Sequence, residues 1–177
     1  MITRNPYKVP RTAMEVFEML PQGTLCQVID NNIYMSPAPT FEHQFIVSEI
    51  HFQILSLVKK MNLGACVQAP LDIFLDTKNA FQPDIIFISN GNLSIIKDGK
   101  VKGAPDIVIE VLSTGTKELD LGKKKTAYEK NGVKEYFAVD QRTKEVQAFY
   151  LKKDKYEAQP KVKAKMVSKL LKKTFKF

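Results

Sequence analysis

The chain has 177 residues, of which 44% are hydrophobic, 26% charged and 10% aromatic, with a formal net charge of +8. These proportions exclude a disordered or collagen-like chain and suit a domain that buries its core without covalent staples. Cys26 and Cys66 are the two cysteines, too few for a disulfide framework or a four-ligand zinc site. No N-terminal apolar run suggests a signal peptide, and no stretch reaches the roughly 18 apolar residues of a membrane span. The expectation is one cytoplasmic domain over residues 1–177.

The charge is unevenly placed. Residues 152–177 hold ten lysines against Asp154 and Glu157, which leaves 17 basic and 17 acidic residues in 1–151. A neutral body with a lysine-rich C-terminal extension is expected, the extension acting as an electrostatic handle.

In chain order, Thr12 followed by Glu15 has capping-box spacing and predicts a short helix through Met14 and Phe17, ending at Pro21. LCQVID and IYMS around Asn31-Asn32 predict a hairpin. After the breaker PAPT, residues 41–61 place Phe45, Ile46, Ile50, Ile54, Leu57 and Val58 at helical spacing, closed by Asn62 and Gly64. ACVQAP, LDIFLD, QPDIIFI and APDIVIEVLS read as strands, and the almost continuous apolarity of the last two predicts burial on both faces. A helix is predicted over about 120–130, then strands EYFAVD and EVQAFYL with a turn at Gln141–Lys144. KVKAKMV alternates and predicts a half-exposed strand before a helical or extended end. The order α-ββ-α-βββ-β-α-ββ is that of a mixed α/β (α+β) domain.

Two acids sit where acids are costly. Asp84 opens the run IIFI and Glu110 interrupts IVIEVL. A lone buried carboxylate needs a metal, a lysine or donated hydrogen bonds. Asp106 alternates onto the face of Glu110 but is read as a strand-entry residue. Asp120, Lys124 and Tyr128 follow one another at four-residue intervals on a helix face, where Lys124 either meets the strand carboxylates or belongs to a solvated KKK run. No His/Cys metal spacing, Ser nucleophile elbow or Gly-rich phosphate loop occurs. Oxygen-ligand chemistry with a hard cation is the remaining catalytic option.

The ordered motifs QPDIIFI, GAPDIVIEVLS, DLGKKKTAY and NGVKEYFAVD, with VIDNNIYMSPAPTFEHQ upstream, resemble the Uma-type restriction endonuclease family of the PD-(D/E)XK nuclease superfamily, over about residues 12–151. The resemblance implies a restriction-endonuclease-like mixed central sheet flanked by helices, and an endonuclease that hydrolyses DNA with Mg²⁺ or Mn²⁺. By position it makes Asp84 and Glu110 the metal carboxylates, aided by the Val111 carbonyl, and Lys124 the catalytic lysine. Leu112 stands where the superfamily usually has that lysine. Gln27, His43, Ser113, Asp120 and Tyr128 match supporting positions. Gln27 departs from a glutamate common in the family, and Asp30-Asn31-Asn32 replaces its D-G-E turn.

That departure leaves open a second class, a catalytically weakened nuclease fold that only binds nucleic acid. A third is a partner protein that forms a homodimer. Lys161, Lys163 and Lys165 are candidate phosphate contacts, or else merely guard an edge strand from pairing. No interleaving of aromatic with basic residues of the single-strand-binding type is evident.

Overall fold

The computed structural model describes residues 9–21 and 23–177. The expectation that no signal peptide begins the chain falls largely on residues 1–8, outside the described ones. No helix among the described residues is long and apolar enough to cross a membrane.

The first elements follow the predicted signals. In α1 (Ala13–Met19) the Thr12 hydroxyl accepts from the Glu15 N–H at 3.1 Å. The returning carboxylate bond is accepted from Arg11 N–H rather than from the cap residue itself. β1 (Cys26–Ile29) and β2 (Asn32–Met35) pair with Ile29 opposite Asn32. The turn is therefore Asp30-Asn31, one residue earlier than predicted, both residues having positive φ (51° and 58°). Asp and Asn both tolerate this conformation, so composition does not fix the register. The long helix α2 (Phe41–Met61) matches its predicted span; Thr40 caps it and Asn62 ends it in the left-handed conformation.

The large sheet runs β12-β11-β10-β9-β6-β3, with β13 also on β11. Its strands are β3 (Gly64–Gln68), β6 (Ile85–Ser89), β9 (Ile107–Leu112), β10 (Glu135–Asp140), β11 (Glu145–Lys152), β12 (Lys155–Ala158) and β13 (Val162–Lys163). β9 and β10 are parallel and their other neighbours antiparallel. All six residues of β9 are buried, as its apolar run requires. A second sheet has the order β2-β1-β5-β4-β8-β7, with β4 (Ile73–Asp76), β5 (Asn79–Phe81), β7 (Ile96–Lys97) and β8 (Lys100–Lys102). Neither β5 nor the β7–β8 hairpin was predicted; each strand is two or three residues long, too short for a period to show.

Two apolar clusters lie on opposite faces of the large sheet. Ile46, Ile50, Ile54 and Val58 of α2 pack on Ile85, Phe87, Ile107, Ile109 and Val111. On the other face Val108, Leu112 and Tyr136 meet Tyr128, Ile73 and Phe81. Glu110, by alternation, points to this second side.

The helical segment between β9 and β10 begins at Lys117, not Asp120. It comprises α3 (Lys117–Leu119), a π turn (Asp120–Lys124) and α4 (Lys125–Lys130). The tail also departs from expectation. Ala164 takes positive φ (52°) and breaks KVKAKMV into β13 and β14 (Lys165–Ser168), and β14 then pairs with β15 (Lys173–Lys176). Met166, Leu171 and Phe175 are buried in the α2-side cluster. The buried Glu135 accepts from Ser168 Oγ at 2.6 Å and from the Leu170 N–H at 2.8 Å, tying this hairpin to β10.

Asp140 closes the turn after β10. Burial alone would raise its carboxyl, but the Thr143 N–H, the Lys117 ammonium and the Arg142 N–H hold it down at about 2, from an ordinary 3.8. A depressed folded-state pKa stabilises above the unfolded value, and that stability is lost as pH falls through the folded one. About 2 kcal/mol is therefore expected to disappear between about pH 4 and pH 2, and to be missing from Asp140→Asn. Urea unfolding across that range checks it; parallel acid limbs for the two proteins would contradict it.

Candidate active site

β9 and β10 run parallel, and beyond their carboxyl ends is where ligands gather in such sheets. A cavity of about 350 Å³ opens there, reaching from Gln27 and Pro37–Thr40 to Ser113, Thr116 and Gln141. Its floor holds the residues singled out in the sequence. Glu110 Oε1 accepts from Tyr128 Oη at 2.6 Å and meets Lys124 Nζ at 2.6 Å. Lys124 Nζ also meets Asp120 Oδ1 at 2.9 Å. All three charged residues are at most 4% exposed. The π turn, a device frequent at functional sites, directs both Asp120 and Lys124 inward. Tyr136 Oη donates to the Asp120 carbonyl at 3.0 Å and fixes the turn. Lys124 thus belongs with the strand carboxylates, and the solvated-face alternative is excluded.

Burial pushes the Glu110 carboxyl up, Lys124 pulls it down, and Asp120 and Asp84 push upward, so it lies above the usual carboxylate range. Burial would lower Lys124, yet Asp120 and Glu110 outweigh it and hold the ammonium firmly protonated. One ammonium faces two carboxylates, so the floor carries an unmatched negative charge whenever both are ionised.

Asp84, immediately before β6, supplies the second carboxylate. Its Oδ2 accepts from the Val111 N–H at 2.6 Å, which places it beside the peptide that follows Glu110. His43, in the first turn of α2, brings Nε2 to 3.4 Å from the same oxygen. Burial would lower its imidazole; the bond to Asp84 and that residue's charge raise it above the usual value. Its Nδ1 is buried without a partner among the described residues.

Gln27 stands on the cavity wall, its Oε1 accepting from the Gln82 N–H at 3.2 Å and its Nε2 3.4 Å from Ser36 Oγ. Ser113 lines the mouth and bonds Thr116. Asp106 is at the opposite end of β9, buried and tied to Lys134, the Ser89 N–H and Asn92, in keeping with a strand-entry role. Lys161, Lys163 and Lys165 are exposed beside the start of β11; Lys161 pairs with Glu145 at 2.6 Å. Gln82, Thr116 and Gln141 were not singled out in the sequence. Gln141 was within reach, since it directly follows the strand parallel to β9.

Among the described residues no group of three or more His, Cys, Asp and Glu side chains converges on one metal position. The donor set still fits a hard cation: Asp84, Glu110 and the Val111 carbonyl are all oxygen donors, and Mg²⁺ commonly takes one or two protein carboxylates and keeps its waters.

The Uma2 family, described as "Putative restriction endonuclease", matches residues 14–172. The fold is similar to the crystal structure of "a putative nuclease belonging to DUF820" from Anabaena variabilis, with a TM-score of 0.75 and 20% identity over 92% of each chain. No curated protein matches.

Proposed function

The chain belongs to the Uma2 family of nucleases, and from that premise we propose that it is a metal-dependent endonuclease hydrolysing DNA phosphodiester bonds, with a PD-(D/E)XK-type site. The observation that carries this reading is the meeting of Asp84, Glu110 and Lys124 around the Val111 peptide in one cavity. Asp84 and Glu110 would hold Mg²⁺ or Mn²⁺, with the Val111 carbonyl as a further oxygen. A cation held there would supply a water of lowered pKa and polarise the phosphate. Lys124, fixed between Glu110 and Asp120, presents positive charge where the pentavalent phosphorane gathers negative charge. Tyr128 and Asp120 orient Glu110 and Lys124; His43 orients Asp84. Ser113 places a hydroxyl at the mouth.

The test is incubation of purified protein with supercoiled plasmid. Nicked or linear product is expected with Mg²⁺ or Mn²⁺ and none with EDTA. DNA binding without cleavage under any metal would instead support the weakened reading, in which neutral Gln27 leaves the site one acid short.

Basic residues lie to one side of the mouth, where Ser113 and Gln141 also line a second hollow. Lys117 and Arg142 border the turn after β10, and Lys161 and Lys163 flank Glu145 at the start of β11. We propose that Lys161, Lys163 and Lys165 contact phosphates. Replacing all three with Gln is expected to reduce the slope of log affinity against log salt by about two to three units. The substitutions leave Met166 and Phe175 in the core, which truncation would not. An unchanged slope with increased self-association would assign these lysines to edge protection instead.

A further inference from the structure

The first turns of α2 carry an aromatic feature that the nuclease reading does not use. Phe41 and Phe45 are 78% and 51% exposed, and their rings stack with centroids 6.1 Å apart and planes 26° apart. Thr40, His43 and Gln44 of the same turns line the cavity, so the pair lies one helix position around from the cavity wall, at its rim. Lys144 reaches Glu49 of α2 at 3.8 Å, which brings the basic turn after β10 against this part of the helix. Exposed aromatic faces near cationic side chains, here Arg142 and Lys144, are what unpaired bases stack on. The acids nearby are Glu42, exposed on the adjoining position, Glu49, facing Lys144, and, within the cavity, Asp84 beside His43 and Glu110 and Asp120 on Lys124.

The depth of the site points the same way. Glu110 and Lys124 are almost fully buried at the floor of a cavity at the small end of the range for ligand pockets. A duplex carries its phosphates on a stiff rod, with a persistence length of about 50 nm. An unpaired strand can bend one phosphodiester inward while its neighbouring bases leave the stack.

We propose that Phe41 and Phe45 form a base-stacking platform and that the preferred substrate is single-stranded DNA, or an unpaired segment within duplex DNA. This rests on the cavity being the nuclease site.

The experiment measures fluorescence anisotropy of labelled oligodeoxythymidine of about 20 nucleotides, and of a duplex of equal length, in EDTA with the full chain. Single strand is expected to bind at least roughly tenfold more tightly than duplex. Phe41→Ala and Phe45→Ala should each weaken it about tenfold and leave duplex binding unchanged. Phe45→Leu keeps the apolar surface without the ring and should behave like Phe45→Ala. Equal binding by wild type and variants overturns the platform. So does light scattering that shows a wild-type dimer dissolved by Phe→Ala, which would assign the line from Phe41 through Phe45 to the exposed Phe52 to a second copy of the chain. Phe-dependent single-strand binding without cleavage under any metal supports the platform and removes the nuclease reading. Metal-dependent cleavage of duplex and single strand alike, indifferent to both Phe substitutions, does the reverse.

Discussion

Glu110→Gln is expected to reduce metal-dependent plasmid cleavage by about 10³-fold while the protein stays folded. The amide retains the shape of the carboxylate and an oxygen to accept from Tyr128 and Lys124, and Lys124 keeps its partner Asp120. What is lost is one of the two negative charges available to hold a cation beside Val111. Removal of a group that stabilises transition-state charge costs roughly 10²–10³-fold in rate, and a metal that no longer binds removes its activated water as well. Asp84→Asn should behave alike, since the amide oxygen can still accept from the Val111 N–H. Both variants should also lose any rise in melting temperature that Mg²⁺ gives the wild type, because a ligand stabilises only the state that binds it. Activity within fivefold of wild type would remove Glu110 from the metal site and leave it as half of a structural pair.

The residues of this test are legible in the sequence because they break a pattern. A carboxylate inside IVIEVL or at the head of IIFI is costly wherever the strand packs, so the misfit can be seen without knowing the partners. The long α2 is legible because its period persists over 21 residues, and β6 and β9 because their runs are almost continuously apolar. The placement of Lys124 is only half legible. Four-residue spacing groups it with Asp120 and Tyr128, but a π turn leaves no periodic mark, and three consecutive lysines look alike until one of them is buried.

The tail hid its structure differently. Ten lysines dominate its composition, yet the residues between them, Met166, Leu171 and Phe175, reach the core. A count of charge registers the outward face and misses the inward one. Gln82 and Gln141 were missed because amides carry no charge to seem out of place. Phe45 read as one of the core-facing apolars of α2 but is 51% exposed, since sequence does not show which face of α2 the sheet leaves uncovered.

Lys124→Met is expected to destabilise the fold by about 3–5 kcal/mol, the cost of breaking a buried ion pair by removing one partner. Methionine fills much of the lysine stem's volume, so the loss is electrostatic: Glu110 and Asp120 remain buried with no cation between them. For a chain of this length such a loss lowers the melting temperature by about 10 °C. Cleavage will disappear too, so activity alone cannot say whether the lysine acts on the reaction or only holds the floor together. The triple variant Glu110→Gln, Asp120→Asn, Lys124→Met tests the structural role, and Lys124→Met assayed at a temperature where it is folded tests the catalytic one. With the charges removed together, buried polar groups can still bond Tyr128 and one another, and most of the lost stability should return, because replacing a whole buried charge cluster is often close to neutral. Single and triple variants melting within about 2 °C of wild type would show that Lys124 does not compensate the buried carboxylates. A single variant that melts early but still cleaves, at a temperature where it is folded, would confine the lysine to holding the floor.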